Sequence, residues 1–104
     1  KSPGLYGLKG VKMSKELCFV TVIGEDQKGI ISKMSDSVYD KNINIEDISQ
    51  KVIEGYFVMS MLLDIQDSDH NLEEIEEDLQ EIGEEMNLQV ELQHEKIFKS
   101  MHRV

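Results

Sequence analysis

The apolar and polar positions of this chain keep two rhythms in alternation. Leu17-Cys18-Phe19-Val20-Thr21-Val22-Ile23 is a run of apolar, β-branched and aromatic residues, as in a strand with both faces buried. Ile31, Met34 and Val38, with Ile30 beside them, then recur at three- and four-residue spacing. Lys33, Asp36, Asp40 and Lys41 fall on other sides, which predicts a first helix over 27–41. Residues 45–53 return to alternation, with Ile48, Gln50 and Val52 on one face and Asp47, Ser49 and Lys51 on the other; so polar a strand belongs at a sheet edge. Glu54-Gly55 is a hairpin signal. Over 56–66, Phe57, Met59, Met61, Leu63 and Ile65 face the helices, and Tyr56, Val58, Ser60 and Leu62 face away.

The second helix is drawn by Leu72, Ile75, Leu79, Ile82 and Met86, behind a polar loop over 67–71 that supplies its cap. Its other faces carry Glu73, Glu74, Glu76, Glu77, Asp78, Glu81, Glu84 and Glu85 with no Lys or Arg among them. The first of these suit the positive helix end, and the rest repel one another at a small cost. Residues 87–93 alternate strictly, and Ile97, Phe98 and Met101 suggest a short terminal helix that must dock on something to persist. The order predicts an α+β, ferredoxin-like βαββαβ sandwich: a four-stranded antiparallel sheet with two helices on one face, plus the short C-terminal helix. The first and third strands fall in the middle. Either Cys18-Val20-Val22 or Leu17-Phe19-Thr21-Ile23 then faces outward, together with Val58 and Leu62. An uncovered apolar sheet face marks an interface, which predicts a homodimer, unless the terminal helix covers it.

Two turns carry the candidate chemistry. Gly24 permits a backbone turn after the first strand, Asp26 is placed to cap the first helix, and Gly29, costly at a helix start, implies that either a neighbouring backbone or a ligand packs closely against it. At the far end of that helix Asn42 can adopt the left-handed conformation that closes it. Backbone N–H groups at the helix start would stabilise a ligand carboxylate. Asp26 could accept from a ligand ammonium or simply cap the helix, and Asn44 offers an amide or a plain turn residue.

The pattern Gly24-x-Asp26-x-x-Gly29-Ile30, followed by Asn44-Ile45-x-x-Ile48, resembles the ACT domain, a small-molecule sensing module. The likeness in element order extends from about Leu17 to the C-terminus. It is strongest to stand-alone single-ACT-domain proteins and to the ACT modules of the glycine cleavage transcriptional repressor and of formyltetrahydrofolate deformylase. The resemblance implies a non-catalytic, allosteric regulator that binds an amino acid between the two turns at a dimer interface. It points to Gly24, Asp26, Gly29, Ile30, Asn44, Ile45 and Asp47 as ligand-binding residues. Glycine or serine is the ligand suggested by analogy, and no cofactor is implied.

Composition narrows the alternatives. A chain of 104 residues makes one domain, here 14–104, after a loose leader over 1–13 that contains Gly4, Gly7, Gly10 and the only proline, Pro3. A formal net charge of −10 disfavours nucleic acid and anionic membrane as partners. The single cysteine, Cys18, reads as a small buried hydrophobe and suits a reducing cytoplasm. No run is apolar enough to span a bilayer. His70, His94 and His102 lack metal-ligand spacing and read as surface residues. The serines of the first helix have no histidine near them in sequence, so neither an enzyme nor a metal site is expected. An acylphosphatase-like hydrolase would need an anion-holding Arg in the first turn, where only Lys28 stands. The rival to a ligand sensor is an interaction module that docks a protein partner on its outer sheet face or acidic helix.

Overall fold

A computed structural model describes residues 15–97; the leader lies outside the described residues, as do Phe98, Met101 and His102. The elements are β1 (Leu17–Glu25), α1 (Ile30–Asp40), β2 (Asn44–Ile53), β3 (Tyr56–Asp64), α2 (Leu72–Met86) and β4 (Leu88–His94), with a helical turn at 95–97. They build one antiparallel sheet in the order β2-β3-β1-β4. This is the ferredoxin-like arrangement, with β1 and β3 central and β2 at an edge.

The core lies between the sheet and the two helices. Cys18, Val20 and Val22 of β1 and Phe57, Met59, Met61 and Leu63 of β3 meet Ile30, Met34 and Val38 of α1 and Ile75 and Leu79 of α2. Leu17, Phe19, Thr21 and Ile23 are therefore the outward set, with Tyr56, Val58 and Leu62 beside them across the β1–β3 register. Glu54 and Gly55 both take positive φ, 52° and 83°, as a two-residue hairpin turn between twisted strands requires. Asn71 and Glu74 form a capping box at the start of α2, with bonds of 2.8 and 3.0 Å. Asn42 closes α1 at φ 59°.

Three expectations need correction. First, α1 begins at Ile30 and not at Gln27, because residues 26–29 are used to cross from the sheet layer to the helix layer. Second, Ile45 pairs with Leu63 and Asp47 with Leu62, so Glu46 is an extra residue and β2 carries a bulge. Past the bulge Ile48, Gln50 and Val52 share a face as expected, opposite Met61, Met59 and Phe57 of β3, but all three stay exposed. Val52 stays 55% exposed. Third, Lys41 is only 6% exposed. Its Nζ donates to Ser37 Oγ at 2.7 Å and Ser37 O at 3.1 Å, and lies 2.8 Å from Asp78 Oδ2. Lys33 reaches Glu85 at 3.5 Å. The acidic helix thus draws its compensating charge from Lys33 of α1 and from Lys41 just past its end, which spacing within α2 could not reveal.

The buried ammonium needs its carboxylate. Asp78→Ala is expected to cost about 1–2 kcal/mol, the lower part of the charged hydrogen-bond range because Asp78 is half exposed. Glu77→Ala, on the solvent side of the same helix, should stay within about 0.5 kcal/mol. Urea denaturation of the two variants side by side checks the difference.

Candidate ligand-binding turn beside the free sheet edge

The segment between β1 and α1 is held at both sides. The Asp26 N–H donates to Gly55 O at 3.0 Å, which ties the segment to the β2–β3 hairpin. Gln27 Nε2 donates to Met86 O at 2.8 Å, which ties it to the end of α2. Asp26 does not cap the helix, since it lies four residues ahead of Ile30. The N-cap position belongs to Gly29, at φ 87°, and no side chain caps there. No protein atom lies within 4 Å of where a Gly29 Cβ would stand, so this glycine serves the left-handed backbone and not close packing against a neighbouring backbone.

The consequence is an open helix N-terminus. The first bond of α1 runs from the Lys33 N–H to Gly29 O at 3.0 Å, so the N–H groups of Ile30, Ile31 and Ser32 precede the ladder. The first turn holds no acidic residue. A cavity of about 280 Å³ adjoins it, lined by Asp26, Gln27, Gly29, Ile30, Ser32 and Gln50 among others. Gln50 comes from β2, which is an edge strand among the described residues, so the cavity opens at the border of the sheet.

Gly24 is not part of this turn. It is a strand residue, and an added Cβ would run into Leu88 Cδ2 and stand 3.2 Å from Asn87 O. It lines a separate cavity of about 540 Å³ with Ile23, Tyr56, Asn87 and Leu88.

Asn44, Ile45 and Asp47 sit at the other end of α1. Its 11 residues span about 16 Å at 1.5 Å per residue, so one chain does not bring the two groups of predicted residues together. Here Asn44 Nδ2 donates to Glu46 Oε2 at 2.6 Å, and Lys15 Nζ meets Glu46 Oε1 at 2.6 Å. The hydrogen bond from Lys15, and then that from Asn44, holds the Glu46 carboxyl below its ordinary range, and the same pairing raises Lys15. A cavity of about 570 Å³ lies against Lys15, Asn42, Asn44, Glu46 and Asp64. Sequence reading missed Lys15 and Glu46: Lys15 precedes the first strand, and no pattern marks Glu46 as the bulged residue.

The described residues bring together no group of three or more His, Cys, Asp and Glu side chains able to hold a metal ion. Burial pushes the Cys18 thiol up to about 12, with the charges of Glu76 and Glu16 adding to it, so the thiolate nucleophile is withheld at neutral pH. His94 is better packed than a surface residue, with Nε2 2.9 Å from Glu16 Oε2 and Nδ1 accepting from the Lys96 N–H at 3.1 Å. No helix among the described residues is long and apolar enough to cross a membrane.

An antiparallel βαββαβ sheet with an open turn after its first strand defines a class, and residues 16–93 match the model of the ACT domain. The chain belongs to the ACT domain family. It is similar to the UPF0237 protein of Methanopyrus kandleri, with 45% identity over 85 residues, 82% of this chain and 94% of that one. Among solved structures it is similar to an ACT domain protein from Streptococcus pneumoniae, with 27% identity, TM-score 0.72, and 83% and 97% of the two chains covered. A formyltetrahydrofolate deformylase from Pseudomonas syringae shares the fold at TM-score 0.73 and 19% identity, over 80% of this chain and 28% of the enzyme.

Proposed function

We propose that this protein is a non-catalytic regulator that binds a free amino acid at the junction between two copies of itself. The observation that carries the reading is the uncapped start of α1 beside a cavity whose far wall, Gln50, belongs to an unpaired sheet edge. A ligand carboxylate there meets the N–H groups of Ile30, Ile31 and Ser32 and the positive helix end. Exposed Asp26 supplies charge for the ammonium.

The distance between the two groups of predicted residues supports the dimer. Two β2 edges paired antiparallel about a two-fold axis set the Asn44 end of one strand beside the Ile53 end of the other. The Ile53 end is also where Gly55 holds Asp26. The turn of one copy and the Asn44 region of the other then enclose a common site. A ligand bound there favours one arrangement of the pair by its differential affinity, and a partner protein reads that arrangement. One buried cysteine and no disulfide suit a cytoplasmic setting.

A thermal-shift screen of the twenty amino acids, with particle mass measured alongside, tests this. Binding at a hundredfold excess over Kd should stabilise by about 2.7 kcal/mol, and Asn44→Ala should abolish the shift. A flat screen on a clean dimer would overturn the sensor reading. It would favour instead an interaction module using the outer face, where Ile23 and Tyr56 are exposed beside half-buried Val58 and Leu62.

A further inference from the structure

Glu46 does not line the turn cavity, and its side chain bonds Asn44 and Lys15, yet the fold uses an irregularity to place it. The bulge puts Glu46 out of the alternation of β2, and bulges re-aim side chains. Its two carboxylate oxygens are divided: Oε1 receives Lys15 and Oε2 receives the Asn44 amide N–H, each at 2.6 Å. A carboxylate only accepts, so the Asn44 amide can meet it in one sense alone, with nitrogen towards Glu46 and carbonyl oxygen away from it.

We propose that Glu46 is a positioning residue that turns the Asn44 carbonyl outward as an acceptor, so that the site selects amino acids with a free ammonium over neutral or acylated analogues. This rests on the amino-acid reading above and deepens it. The open helix start takes the carboxylate, and the oriented carbonyl of the other copy, together with Asp26, takes the ammonium. Lys15 fixes the far oxygen of Glu46 and so holds the carboxylate plane. A glutamate is ionised throughout the neutral range, and the hydrogen bonds from Lys15 and Asn44 extend that to lower pH, so Glu46 remains an acceptor. Without Glu46 the Asn44 amide is free to turn its N–H groups outward, which meets an ammonium with like polarity.

The test measures affinity for each of the twenty amino acids beside its N-acetyl derivative, by calorimetry on the intact dimer. The wild type should prefer the free amino acid, and Glu46→Ala should reduce that preference about tenfold, the share of one hydrogen bond to a charged group. Adding Asn44→Asp in the Glu46→Ala background should restore it, because a carboxylate accepts in either orientation; a merely structural role for Glu46 would not be rescued. Lys15→Met should keep most of the preference. Unchanged preference in Glu46→Ala, or no rescue by Asn44→Asp, overturns the positioning role while leaving amino-acid binding intact. Tighter binding in Lys15→Met also overturns it, because Glu46 would then be the direct ammonium partner with Lys15 as competitor. A wild type that binds no amino acid overturns the sensor reading and this inference with it.

Discussion

Gly83→Val is expected to lower stability by about 3 kcal/mol or more and the melting temperature by about 12–24 °C. The reason lies in the connection from α2 to β4. Only Asn87, at φ 59°, separates Met86 from Leu88, so the last turns of the helix must lie directly on the strand that follows. At Gly83 an added Cβ would stand 2.9 Å from Leu88 O and 2.7 Å from Val90 Cγ2. Leu88 cannot retreat, since it pairs with Gly24 of β1 and its side chain already fills the space a Gly24 Cβ would need. Two glycines on different elements therefore hold Leu88 between them. Replacing a helix glycine ordinarily gains up to about 1 kcal/mol of propensity, and here the clash with a paired backbone outweighs it. Glu84→Val, one position along and exposed, should shift the midpoint by only a few degrees. Equal melting temperatures for the two variants would mean that α2 and β4 are not in close approach.

Gln50→Pro is expected to give a folded monomer that no longer responds to amino acids. Ile53 and Tyr56 flank a two-residue turn and so exchange both of their hydrogen bonds. Counting back by twos, Lys51 and Ser49 also direct their N–H groups to β3, whereas Val52, Gln50 and Ile48 direct theirs to the free edge. Proline at Gln50 therefore removes a donor that no strand among the described residues uses and that a second copy could. The fold should survive within about 1 kcal/mol. Particle mass should halve, and the amino-acid stabilisation of about 2.7 kcal/mol at a hundredfold excess should vanish. Gln50→Ala keeps the N–H and should remain dimeric, which separates loss of the edge donor from loss of the side chain at the cavity wall. A dimeric Gln50→Pro would rule out pairing through β2.

The fold was legible because its periodicities do not conflict. Phe57, Met59, Met61 and Leu63 could only be one face of a strand, and the Leu72-to-Met86 stripe only a helix against that face. The turn was legible in identity but not in role. Asp26 carries the residue type of a cap and Gly29 the look of a packing glycine, yet the cap position falls on Gly29, and Asp26 is held by a hairpin 29 residues away in sequence. Local preference names residues able to start a helix, and the step between layers decides which one does.

Sequence alone determined the element order, the inward face of β3 and the apolar stripe of α2, because these follow from spacing within one segment. It also determined the two-residue hairpin at Glu54-Gly55, where both residues need positive φ. Tertiary structure alone decided which face of β1 is buried, since over 17–23 Thr21 is the single polar residue and there is no alternation to read. It alone placed Lys41 beside Asp78, bulged Glu46 towards Lys15 and Asn44, and parted Asp26 from Asn44 by the length of α1. Each of those depends on residues distant in sequence meeting across layers, where no local pattern records the distance.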